Sequence, residues 1–311
     1  MKPFYRVILR NAWLILRRYK FLWFFGFFAA LTSNGEEYDI LVRNVNTATN
    51  IENQVTSLRK FIQDGTLGTA WDSLKNYFTS HVFSSILAIF VSLVVILIII
   101  WLITISQTAI IYTASLHREK KQNGFLDAFI VGNKYFLPIF LLNIIAKIII
   151  YGGLLIFGIP LTIGYVNTGN ITWLSVLSIF VLLILILFNM IISFITKYAS
   201  SYVILKGKRV WDAFRNGWKL FFKNWLISLE MALILFVINF CISFVIIALL
   251  AFAGVPFTLV GIYVFYAIIL FMGALLATFQ FSSWTYLFLD LNENIGISKL
   301  VRIFRPKQIK Q

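Results

Sequence analysis

The sequence predicts an all-α membrane protein. Six transmembrane helices form three tandem helical hairpins, with cytoplasmic interfacial elbow helices leading into them. Three observations carry this reading. Hydrophobic residues make up 60% of the 311, charged residues only 13%, and the apolar ones fall in long uninterrupted runs. Lysine and arginine gather in alternate links between those runs. The phrase "DAFIVGNKYF" (127–136) returns as "DAFRNGWKLF" (212–221).

The apolar runs lie near 20–33, 82–116, 138–166, 172–205, 224–253 and 257–289. A span of about 30 Å of hydrocarbon takes roughly 20 helical residues at 1.5 Å each, so runs of this length read as membrane helices. The first, "FLWFFGFFAALTS", follows a basic N-terminus as a signal peptide would. Its charged region is long, its apolar part is bulky and aromatic, and no small-x-small cleavage site follows, so it is read as a retained short span.

Orientation follows from the basic residues, which are held on the cytoplasmic side during insertion. Segment 1–20 has six, 117–137 has four, 197–225 has seven and 290–311 has five, which places 22 of the 27 on one face. Both termini are expected in the cytoplasm. The formal charge of +15 is a consequence of this topology. No recognition helix or base-stacking motif accompanies it, so nucleic acid is not an expected partner.

The hairpins divide the chain at 1–116, 117–201 and 202–289, followed by a basic tail at 290–311. Hairpin one opens with a basic, aromatic amphipathic stretch, "RNAWLILRRYKFLWFF" (10–25), a weaker version of the elbow phrase. It also carries an external insertion, 34–81. Ser33 and Glu36 have capping-box spacing, and Tyr38, Leu41, Val45, Ala48, Ile51, Val55, Leu58 and Ile62 fall on one helical face before "DGTLG" breaks the helix. An external helical hairpin is expected there. Its apolar stripe is assigned to packing between the two arms or on the bilayer, ahead of a protein partner or self-association through this hairpin.

Two spans separate the paired phrases, so both face the cytoplasm and the repeat is parallel. Asp127 and Asp212 suit a helix N-terminus, where the backbone dipole favours an anion. Gly132 and Gly217 admit close approach of a neighbouring helix. Phe129, Phe136, Phe214, Phe221 and Trp218 are expected to anchor in the acyl boundary, and Lys134, Lys219, Arg215 and Lys223 to meet lipid headgroups, anionic phospholipid above all. The outward spans are expected to stop or kink at "GIP" (158–160) and "GVP" (254–256).

Chemistry is sparse. Cys241 is the only cysteine, and His81 and His117 fall at opposite ends of the second span, so no metal set, cofactor site or catalytic triad assembles. The chain is read as non-catalytic, with a lipid-interacting or scaffolding role. Lys147 and Glu230 are the charges placed within spans. Lys147 lies about 15 Å beyond Leu137, near the bilayer midplane, and Glu230 falls at a matching level. They are expected to pair as a structural pin; the alternative is a small-solute or ion transporter or channel that uses them.

The "LWFFGFFAAL" first span, the paired "DAFxxGxKxF" elbows and the six-span layout resemble a loose group of uncharacterised bacterial polytopic membrane proteins. That group is similar to the membrane domain attached to some glycerophosphodiester phosphodiesterases. The resemblance implies a bacterial cytoplasmic (inner) membrane. It implies no phosphodiesterase activity, because the metal-binding acids and histidines of that catalytic domain do not occur in this sequence.

Overall fold

The computed structural model describes residues 4–33, 82–168, 171–252 and 259–293. These fold as α1 (Phe4–Arg18), α2 (Leu22–Ser33), α3 (Val82–Arg118), α4 (Phe125–Lys134), α5 (Phe136–Thr168), α6 (Ile171–Lys206), α7 (Val210–Lys223), α8 (Trp225–Phe252) and α9 (Leu259–Asn292), with no strand among the described residues. The insertion at 34–81, the "GVP" segment and the tail beyond 293 lie outside them.

Among the described residues, five helical stretches are long and apolar enough to cross a membrane: Ile86–Arg118, Phe136–Pro160, Ile179–Lys206, Trp225–Leu250 and Gly261–Asn292. A helix satisfies its own backbone hydrogen bonds, as hydrocarbon requires, and the chain is a multi-pass membrane protein on this ground. The expected first span is represented by α2. Its 12 residues reach about 18 Å, short of the roughly 30 Å core. At "GIP" the expected stop does not occur, because α5 runs through Pro160 to Thr168. Neighbouring groups in a membrane helix can absorb the missing N–H of a proline.

Where the long helices give way to short ones, the backbone shows why. After α3, Lys120 adopts a left-handed conformation (φ 60°), its N–H bonds to His117 O, and the Lys121 N–H bonds to Leu116 O. That is the helix-ending motif which usually recruits glycine. Gly207 (φ 61°) does the same after α6. Between α4 and α5 the break is the single residue Tyr135, and between α7 and α8 it is Asn224.

The chain divides into two compact units. One comprises Met1–Gly35, Leu102–Ala146 and Ser193–Gln311. Its core is built on the C-terminal halves of α3, α6 and α9, where Ile105, Ile110, Phe194, Tyr198, Leu287 and Phe288 are buried. Ring contacts join α6 to α9, with Phe194 to Trp284 at 5.2 Å and Tyr202 to Phe288 at 4.8 Å between centroids. Asn143 of α5 donates to Gln107 of α3 at 3.1 Å. Arg118, at the end of α3, pairs with Asp290 near the end of α9 and with Glu293 just beyond it.

The N-terminal helices complete this unit from the far end of the sequence. Both α1 and α2 pack on α9. A Cβ at Gly26 would lie 2.2 Å from Ala274 O and from Thr278 Oγ1, so only glycine fits the observed approach. Thr278 Oγ1 donates to Leu22 O at 3.1 Å. The second unit, Glu36–Trp101 and Lys147–Ile192, brings Gly153 of α5 against Phe188 of α6. Most of its described apolar side chains are exposed, as lipid-facing side chains are.

Candidate functional site

The elbow phrases become α4 and α7, and α7 shows what the composition is for. At 100° per residue its side chains fall into three sectors. Ala213, Gly217, Leu220 and Phe221 are buried. Trp211, Trp218 and Phe222 form an exposed aromatic sector, with Trp218 and Phe222 at 4.9 Å. Arg215, Lys219 and Lys223 follow one another at i+4 as an exposed basic ridge. Gly217 sets the depth of the buried sector, since a Cβ there would lie 2.9 Å from Ile195 O and 3.1 Å from Ala199 N.

In α4 the matching residues Ala128 and Gly132 are buried, and a Cβ on Gly132 would lie 2.6 Å from Ile105 Cγ2. Leu126 and Ile130 are exposed. Lys134 is exposed too, with its ammonium 5.5 Å from the centre of the Tyr135 ring. Asp127 sits in the first turn and accepts the Gly124 N–H at 3.0 Å. Phe129 is half-buried beside Phe125, and Phe136 is half-buried against Phe140 at 5.6 Å.

Phe221 departs from its expected role as a lipid anchor. It is 6% exposed and packs on Phe194 at 5.8 Å. The reason is helix length: α4 breaks at Tyr135, whereas α7 continues helically through Leu220 and Phe221 to Lys223. The sequence match therefore pairs the first residue of α5 with a core position of α7. Phe214 is half-buried and stacks on Trp211.

The match also slips upstream. Gly132 seats over Ile105, 27 residues before it, and Gly217 over Ile195, 22 before it. The link of 119–124 is three residues longer than that of 207–209, and the other two residues of the difference lie in α3.

A third elbow escaped the sequence reading in its detail. In α1 the buried residues include Ile8, Ala12, Ile15 and Leu16. Their spacing is that of Ala213, Gly217, Leu220 and Phe221 in α7. The signal was "RNAW" (10–13) against "RNGW" (215–218), which places exposed Arg10 and Trp13 opposite exposed Arg215 and Trp218. The match was masked because alanine replaces glycine and no aspartate precedes it.

Of the intramembrane charges, Glu230 of α8 accepts a hydrogen bond from the Tyr5 hydroxyl of α1. Burial, then the bond to Glu230 and its negative charge, pushes the Tyr5 phenol above its ordinary range, so it remains a donor at neutral pH. Lys147 is an exposed residue of α5 and belongs to the second unit. His117 meets the Tyr19 ring edge-on at 5.8 Å. Lys197 of α6 lies 4.8 Å from the centre of the Trp284 ring, a cation–π contact inside the helix core.

Several buried polar atoms on α3, α6 and α9 have no hydrogen-bond partner among the described residues, including Ser106 Oγ, Ser193 Oγ, Gln280 Oε1 and Trp284 Nε1. No group of three or more metal-ligating side chains occurs among the described residues. No family model, no curated protein and no solved structure matches the chain.

Proposed function

We propose that the chain is a non-catalytic integral membrane protein of the bacterial cytoplasmic membrane, with six spans in three hairpins and both termini in the cytoplasm. Its elbow helices lie in the headgroup region and hold anionic phospholipid, which gives the protein a lipid-organising or scaffolding role. The observation that carries this reading is the three-sector division of α7, whose aromatic and basic ridges are both exposed while its third sector is buried. Tryptophan and phenylalanine suit the acyl boundary, and the adjoining basic ridge suits phosphate.

The magnitudes support it. A basic residue near an anionic membrane surface contributes about 1 kcal/mol, so the three of α7 together contribute on the order of 3 kcal/mol, or roughly a hundredfold in retention. Native mass spectrometry of the protein released from phosphatidylglycerol-containing nanodiscs tests this. The triple replacement Lys134→Gln, Arg215→Gln and Lys219→Gln should lower retained phosphatidylglycerol by about tenfold or more, with the wild-type signal falling as salt rises. Unchanged retention leaves the elbows as packing devices and removes the reading.

A second reading, a small-solute transporter or channel using Lys147 and Glu230, draws on the unpartnered polar atoms of α3, α6 and α9. Buried polar groups in a membrane core commonly face water or a substrate path. Solute flux in proteoliposomes separates it from the lipid role.

A further inference from the structure

We propose that the cavity between the end of α3 and the start of α4 binds the headgroup of a zwitterionic phospholipid with a primary amine, phosphatidylethanolamine in class. The proposal rests on the interfacial placement of the elbows above and names a second lipid, at a second place. The cavity measures about 320 Å³, which is within the range of small-ligand pockets. Its lining is part polar and part apolar.

The polar lining has both signs of charge. Asp127 and Lys121 both line the cavity. Asn123 joins them: its Nδ2 donates to Thr113 Oγ1 at 2.9 Å, and its Oδ1 is buried with no partner among the described residues. A buried acceptor of this kind calls for a donor. A primary ammonium has three N–H groups, enough for Asn123 Oδ1 and the Asp127 carboxylate together.

The phosphate of the same headgroup then faces Lys121 and Gln122, which line the cavity as well. Lys121 is paired with Glu119 at 2.8 Å, but both side chains are more than half exposed. Such a surface pair is weak and readily exchanged for a phosphate. Leu116, Ile130 and Val131 are the apolar lining, suited to the glycerol and first methylenes.

Other headgroups fit less well. An anionic headgroup without an amine sets its charge against Asp127 and leaves Asn123 Oδ1 unanswered. A trimethylated choline carries charge but no N–H. The loop is also held in place before any lipid arrives, by the left-handed Lys120, the Lys121 N–H to Leu116 O bond and the Gly124 N–H to Asp127 bond. Preorganisation of this kind lowers the cost of binding.

The experiment uses nanodiscs of phosphatidylethanolamine, phosphatidylcholine and phosphatidylglycerol with identical acyl chains, read by native mass spectrometry. Wild type should retain the ethanolamine lipid about tenfold over the choline lipid, the worth of a charge-assisted hydrogen bond. Asp127→Asn, which keeps an acceptor for the Gly124 N–H, should erase that preference and leave phosphatidylglycerol retention intact. The Lys134/Arg215/Lys219 glutamine variant should do the reverse, so failure of the cavity and failure of the elbows are distinguishable. Equal retention of the two zwitterionic lipids by wild type overturns the proposal without any variant having to fold. Loss of the ethanolamine lipid in the elbow variant but not in Asp127→Asn also overturns it, by moving that lipid to the elbows. Soluble phosphoethanolamine has the same head; displacement of the lipid by it at equal concentration assigns a soluble ligand instead, and persistence of the lipid supports the proposal.

Discussion

At the scale of single residues, the glycines sort into those that set helix spacing and those that do not. A methyl group at Gly26 or Gly217 meets backbone atoms, at 2.2 Å and 2.9 Å, and backbone cannot rotate away. Gly26→Ala and Gly217→Ala should each destabilise by about 1–3 kcal/mol, the usual cost of overpacking. At Gly152 nothing lies within 4 Å, so Gly152→Ala should be neutral or stabilising by up to about 1 kcal/mol. Thermal unfolding in detergent reads the difference, and equal effects at all three positions would contradict the packing described. Gly132 and Gly217 were legible because each sits in a phrase that occurs twice. Gly26 was not: it stands in an aromatic run, and its partner Ala274 lies at the other end of the chain.

At the scale of elements, the question is what the half-buried carboxylate of α8 holds together. Tyr5 ties it to α1, and the sequence spacing also suggests Lys147 of α5. If Lys147 and Glu230 pair, Lys147→Met or Glu230→Gln alone should destabilise by leaving an uncompensated charge. The double replacement should then recover much of the loss. Tyr5→Phe should cost about 1.5–3 kcal/mol by removing a bond to a charged group. Additive losses for Lys147 and Glu230, measured as shifts in Tm, would show that the two side chains do not meet. The α4 and α7 helices could be read in advance because aspartate, glycine and lysine fall at the same positions in both. What could not be read is where each helix stops. Tyr135 and Asn224 end them one turn apart relative to the phrase, and that turn moves Phe221 from the lipid boundary into the core. Nor does the phrase reveal α1, whose buried stripe keeps the spacing but not the residues.

For the whole molecule, the expected topology puts the 117–137 link on the cytoplasmic face and 34–81 on the other. Single cysteines at Gln122 and Asn53, on a Cys241→Ser background, check it by labelling of intact cells: Asn53 should react with an impermeant reagent and Gln122 should not. The reverse pattern would invert the protein. The five long spans were plain from apolar run length alone, whereas the docking of the N-terminal pair on α9 was not, since no local pattern encodes a contact between chain ends. That docking bears on how the protein is made. Thr278 reaches back 256 residues to Leu22, and at about 5–20 residues per second the ribosome needs roughly 10–50 s to cover that distance. Throughout that interval the faces of α1 and α2 that pack on α9 have no permanent neighbour, so they must rest on lipid or on an insertion factor. Assembly is sealed only when the last span arrives, and a chain cut short before α9 is left with an unclaimed beginning for quality-control proteases to find.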